Sequence, residues 1–242
     1  MKDKCAILIF EGVWNLYDSD INRSSVLPFF EGLAKTRSDI EVIHTRFYDD
    51  RSFKSAFKAL TTDVSFKNAI VYVSAHGDGK RIGEAKIVDI MVKCNLESRA
   101  ANITGVVLGS CFSAGTERRP VDETIKCLIQ DSRLAWVSSY RCAGNWLEGT
   151  LIDLCLIKQM LLIGDKVFES EQNIVENLAE GIACFSPHSN FGWSSDEDAL
   201  NLKESLAFFA QPRGQGHRAK CITESVWLAW DELQLGIEVV DL

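Results

Sequence analysis

Two short segments of this 242-residue chain carry side chains able to attack a carbonyl and move a proton: SAHGDG around His76 and GSCFSAG around Cys111. A thiolate is a far better nucleophile than a thiol. Free cysteine has a pKa of about 8.5, so a neighbouring imidazole raises its reactivity at neutral pH. The oxygen that gains charge during attack needs donors, and backbone N–H groups at a glycine turn or at the start of a helix supply them. Gly109 and Ser110 permit a tight exit from the preceding apolar run, and Ser113, Ala114 and Gly115 leave the far side of the thiol open. Gly77 leaves room for a peptide to approach its own N–H.

The elements that must position these groups are legible upstream of each. Residues 69–74 (AIVYVS) and 104–108 (TGVVL) are short apolar runs, as expected for strands buried on both faces. Residues 6–10, 40–47 and 134–139 read the same way, and helical spacing falls between them at 24–35, 52–60, 88–99, 121–130 and 146–162. Residues 77–86 form a glycine-punctuated loop or hairpin. Strands separated by helices imply right-handed crossovers, so the fold class is α/β: a three-layer α/β/α sandwich with a mainly parallel sheet. Sites in such sheets gather at the carboxyl ends of the strands, where His76 and Cys111 both fall. Beyond the core, the pattern predicts a helix at 169–185, a polar loop at 186–198, a helix at 200–210, a loop at 211–217 and mixed structure at 221–233. The whole of 1–242 reads as one domain, a core at 4–162 with a helical and loop extension at 163–242.

Composition narrows the function classes. Net charge is −8, with basic residues scattered, which argues against a nucleic-acid partner. The run at 6–10 is too short for a signal core, and 151–163 is interrupted by Asp153, Lys158 and Gln159, so no membrane span is expected and the cytoplasm is the expected location. The eight cysteines form no Cys-x-x-Cys pair and read as mostly buried free thiols, with no metal site and no cofactor.

The segments IVYVSAHGDG and GVVLGSCFSAG resemble the paired signatures of the caspase-like (clan CD) cysteine peptidases, a group that includes bacterial caspase-like and CHAT-type proteases. In that pattern an apolar strand ends in His-Gly and a later one ends in a small residue and Cys. The likeness covers roughly residues 4–162. It implies that Cys111 is the nucleophile and His76 the general acid or base, with the amides of Gly77 and Cys111 as the oxyanion hole. The substrate would be a protein or peptide, cut through a thioester acyl-enzyme, with a regulatory protein partner and a role in bacterial defence as further expectations. Caspases hold an acidic substrate side chain with arginines, for which Arg23 and Arg141 fall in comparable regions. A competing acidic pocket would use Asp78 or Asp122. The chain departs from the pattern at Gly109, where caspases carry Gln and metacaspases an acid, so neither specificity is inherited there. Two other readings stand beside this one: a caspase-like pseudoenzyme or adaptor that binds a partner, and a different thiol amidase using His188 or His217. The second would call for Gly-x-Cys-x-Gly, and residue 113 is Ser.

Overall fold

The computed structural model describes residues 3–14, 25–116 and 119–238. Seven strands form the central sheet: β1 (Cys5–Gly12), β2 (Ile40–Phe47), β3 (Asn68–Ser74), β4 (Ile103–Gly109), β5 (Trp136–Tyr140), β6 (Leu206–Ala210) and β7 (Lys220–Cys221). Their order is β7-β6-β5-β4-β3-β1-β2. The five strands from β2 to β5 are parallel, and β6 and β7 add antiparallel at one edge.

Side chains alternate across this sheet and build two apolar layers. Ile7, Ile9, Ile70, Tyr72 and Val107 face α1 (Leu27–Lys35), α5 (Trp146–Leu162), α6 (Glu171–Gly181) and α7 (Thr223–Glu238). Ala6, Leu8, Phe10, Val71 and Val106 face α2 (Asp50–Thr61), α3 (Ile87–Ala101) and α4 (Asp122–Ile129). The three-layer α/β/α arrangement follows from these two faces. Local signals begin and end the helices. Asp49 and Ser52 form a reciprocal capping box at α2, and Asn102 takes a left-handed conformation to close α3.

The region after 162 departs from the sequence pattern. The expected helix at 200–210 is one turn, Leu202–Ser205, capped by Asn201, and then strand β6. LAFFA is buried at every position, and a short continuous apolar run does not distinguish helix from strand by periodicity. The expected loop at 186–198 contains the strand Asn190–Trp193, which sits between Ala143–Gly144 and Ala199–Asn201 in a small antiparallel sheet. The mixed segment at 221–233 is largely helix α7. Strand β6 and helices α6 and α7 contribute to the same apolar layer as β1 and α5. Among the described residues no helix is long and apolar enough to cross a membrane.

Candidate active site

Strands β3 and β4 run parallel and end level, with Ser74 opposite Gly109. His76 and Cys111 each follow two residues later, so equal steps from paired strands bring them to one rim. The two exits are stitched together. The Ala75 N–H donates to Ser110 Oγ at 3.2 Å, and that hydroxyl donates to the Ala75 carbonyl at 2.6 Å. Ser74 Oγ donates to the Gly109 carbonyl at 3.3 Å. After His76 the chain turns into a hairpin, Arg81–Ile82 with Ala85–Lys86, and the Gly83 N–H donates to the His76 carbonyl at 2.7 Å.

Cys111 sits in a turn, and the chain goes on from it into a short hairpin before α4. Phe112 adopts φ +54°, a left-handed conformation that costs a non-glycine residue roughly 1–2 kcal/mol. Its surroundings hold it there. The Phe112 N–H donates to the Cys142 carbonyl at 3.0 Å, and the Phe112 carbonyl accepts from Gly115 N–H at 2.7 Å. Ser113 Oγ donates to the Leu108 carbonyl and accepts from the Tyr140 N–H. The backbone of Gly77 lies directly on the Cys111 peptide: a Cβ at residue 77 would stand 2.0 Å from the Cys111 carbonyl oxygen and 3.2 Å from its nitrogen. Among the described residues neither the Gly77 nor the Cys111 amide N–H has a hydrogen-bond acceptor.

His76 and Cys111 border one cavity of about 250 Å³. His76 is exposed and Cys111 half-buried, so both stand at its mouth. Among the described residues no hydrogen bond joins the two or engages the imidazole ring, which meets the edge of Trp14 with centroids 5.4 Å apart. Catalytic hydrogen bonds are commonly long before substrate binds. The walls are aromatic, from Trp14, Tyr72, Tyr140, Trp146 and Phe191. Phe191 stacks on Tyr140 at 5.4 Å, and it is this residue of the Asn190–Trp193 strand, not the half-exposed Trp193, that lines the cavity.

At the base lies Asp153, from the middle of α5 and 1 % exposed. Tyr140 donates its hydroxyl to Oδ1 at 2.8 Å, and the Tyr72 phenol lines the same cavity. Burial pushes the Asp153 carboxyl up to about 7, and the two tyrosines oppose that rise only in part. Both phenols are themselves driven well above the ordinary tyrosine range, first by burial and then by the Asp153 charge. Gly109 is the reason this carboxyl reaches the cavity. A Cβ there would stand 2.7 Å from Asp153 Oδ2 and 2.4 Å from the Tyr72 ring. The acid therefore occupies, from a helix, the place a side chain at 109 would fill.

The other sequence candidates are elsewhere. Arg23 lies outside the described residues. Arg141 does not line the cavity; its guanidinium pairs with Asp122 Oδ2 at 3.0 Å. Asp78 is exposed and accepts from the Lys80 and Arg81 amides, a turn-forming role. His188 and His217 are exposed and border no part of this cavity. Sequence reasoning passed over Asp153, Tyr72, Tyr140 and Trp14. The signal for Asp153 was a lone acid inside an apolar helical run. Among the described residues no three His, Cys, Asp or Glu side chains converge as metal ligands.

No family model and no curated protein matches this chain. Among solved structures it is similar to a secreted C11 cysteine protease from Bacteroides thetaiotaomicron in complex with an irreversible peptide inhibitor, with a TM-score of 0.50 and 11 % identity over 85 % of this chain and 66 % of that one. A further structure of a secreted C11 cysteine protease from the same organism, iotapain, gives a TM-score of 0.47 and 10 % identity over 86 % and 66 % of the two chains. This chain thus spans just under two thirds of that protein's length. The chain has the fold of the first of these structures, a caspase-like α/β/α sandwich around a seven-stranded, mostly parallel sheet.

Proposed function

We propose that this protein is a cysteine endopeptidase in which Cys111 and His76 form the catalytic dyad. The observation that carries the reading is the convergence of a half-buried thiol and an exposed imidazole at the mouth of one cavity, with the unclaimed Cys111 amide there and that of Gly77 packed against the Cys111 peptide. The Cys111 thiol gives its proton to His76 as its sulfur bonds to the scissile carbonyl carbon, and the oxyanion is held by the N–H groups of Gly77 and Cys111. As the C–N bond breaks, His76 gives its proton to the departing amine, leaving a thioester. His76 then takes a proton from water, the hydroxide adds to the thioester, and the thiolate leaves with release of the acid product.

The cavity beside the dyad suits the side chain that precedes the cut bond. An aromatic enclosure with a carboxyl at its base favours a cation, because the ring faces attract positive charge and a cation seated there draws the Asp153 carboxyl into its ionised form. Lysine or arginine is therefore the proposed residue at that position, with Asp153 as its counter-ion. The described cysteines are all free thiols, which supports action in a reducing compartment such as the cytosol. A regulatory protein partner and a place in bacterial defence remain further parts of this proposal, resting on resemblance to caspase-like proteases alone.

A peptide library on the purified protein tests the reading. Cleavage after Lys or Arg that disappears in Cys111→Ala and in His76→Ala is the expected result. Iodoacetamide labelling that survives Cys111→Ala, or turnover unchanged in His76→Ala, would move the nucleophile or the base elsewhere.

A further inference from the structure

Glu11 is the penultimate residue of β1, level with Ser74 of β3, and its side chain is 1 % exposed. The carboxylate accepts from four donors. Oε1 takes the Trp14 indole N–H at 2.9 Å and the Val26 amide at 2.9 Å. Oε2 takes the Ser25 hydroxyl at 2.8 Å and lies 2.8 Å from His44 Nε2. One carboxylate thus pins both ends of the connection between β1 and α1. It also serves the start of α1, which has no side-chain cap of its own. These bonds hold the carboxyl below the usual carboxylate range despite its burial.

Trp14 carries this anchorage to the dyad. Its ring stands edge-on to His76 at 5.4 Å and to Trp146 at 6.3 Å. With its N–H tied to Glu11, the indole cannot slide along the imidazole. Among the described residues no carboxylate or carbonyl hydrogen-bonds that ring, and Trp14 is the aromatic side chain in contact with it. Catalytic imidazoles usually depend on a third group for orientation. Here the group in contact is an apolar wall, and the buried charge stands one residue behind it.

We infer that Glu11 is a positioning residue of the dyad: through the Trp14 indole it holds the His76 ring at the cavity mouth it shares with Cys111. The inference rests on the Cys111–His76 reading and deepens it. Glutamine at 11 keeps the acceptor for Trp14 and Val26, whereas alanine removes it.

The test uses the full chain and two readouts: the rate of Cys111 alkylation by iodoacetamide as a function of pH, and peptide turnover. Alkylation needs the imidazole beside the thiol but no occupied pocket. Glu11→Ala is expected to lower the neutral-pH alkylation rate and kcat by about tenfold, with KM changed less. Glu11→Gln should recover most of both. A merely structural role would lower the melting temperature and leave the pH profile of alkylation in place. A folded Glu11→Ala protein with the wild-type alkylation profile and kcat would overturn the inference. If Glu11→Ala fails to fold, Trp14→Phe decides: it keeps an aromatic wall but breaks the tether, and an unchanged alkylation profile would equally overturn it. Wild-type protein that alkylates in a His76-dependent way yet cuts no peptide would sink the peptidase reading while leaving the tether to be judged on alkylation. A His76→Ala profile identical to wild type would instead remove the dyad, and the role of Glu11 with it.

Discussion

The two ends of the sheet each carry a cavity, and they are opposites. At the carboxyl ends of the strands the opening is about 250 Å³, walled by aromatic rings, with a thiol, an imidazole and the Cys111 amide unclaimed. At the other end a larger space of about 590 Å³ lies among Phe66, Arg99, Asn102, Arg133 and Arg213. There the charges are partly paired, with Arg213 Nε and Nη2 buried and without a hydrogen-bond partner among the described residues. Asp165 pairs with Arg133 at 3.1 Å and with Arg213 at 3.0 Å, Arg133 also donates to Asn102, and the Arg213 guanidinium lies 4.7 Å over Phe168. Size points to the wrong end. What distinguishes the rim is a thiol and an imidazole that share it with one acid whose pKa is raised by burial, the pattern expected of a site built for chemistry.

The sharpest way to break this contrast is to remove one group from each end. Cys111→Ala should cut peptide turnover by roughly 10⁴-fold or more, as loss of a nucleophile does. Arg133→Ala, at the far end, should leave kcat/KM within about twofold. Comparable losses from both would mean that the larger cavity takes part in the reaction.

Gly77→Ala should follow in size. The Cys111 carbonyl stands where the new methyl would go, so one of the two backbones must move and the oxyanion donors with it. A loss of about a hundredfold in kcat, with the fold retained by circular dichroism, is expected. Near-normal kcat would show that these amides do not hold the oxyanion.

Asp153→Asn should reduce the preference for Lys or Arg over an uncharged isostere by about tenfold or more, measured as the ratio of kcat/KM values. If the preference is unchanged, the cation-binding proposal fails while the dyad stands.

The two ends should also answer pH in opposite senses. Asp153 has its folded pKa raised, from 3.8 to about 7, so the native state holds the proton more tightly. Its contribution is favourable below the unfolded pKa and is lost as pH rises from about 4 through 7, up to roughly 4 kcal/mol against Asp153→Asn. Asp165 is lowered: burial alone would raise it, but Arg213 and then Arg133 outweigh that. Its contribution is present above the unfolded pKa of 3.8 and is lost as pH falls through the lower folded value. Because Asp165 is 58 % exposed, screening limits that effect to about 1 kcal/mol or less. Urea unfolding of wild type, Asp153→Asn and Asp165→Asn across this range would check both slopes.

Much of the fold was legible in the chain before any coordinates, for local reasons. The strands at 69–74 and 104–108 declare themselves by apolar runs that end in His-Gly and Ser-Cys, and β3 and β4 occupy those places. Strand β6 was not legible, because LAFFA buries both faces and its antiparallel pairing with β5 depends on a chain segment some 70 residues away. The arginine and acid proposed for substrate recognition, Arg141 and Asp78, were plausible by chain position but are occupied by Asp122 and by a turn.

Taken alone, the order of residues determined the alternation of strands and helices and the location of the thiol and imidazole at strand ends. Periodicity, glycine and burial runs are properties of neighbours in sequence, and backbone sterics convert them directly into elements. The pocket was decided only in three dimensions. Tyr72, Gly109, Tyr140 and Asp153 come from β3, β4, β5 and α5. Which of their atoms meet depends on how that helix lies across the sheet, a packing outcome with no local signature. The same holds for Glu11, whose four partners span residues 14 to 44 and which becomes an anchor only when β2 and the start of α1 close around it.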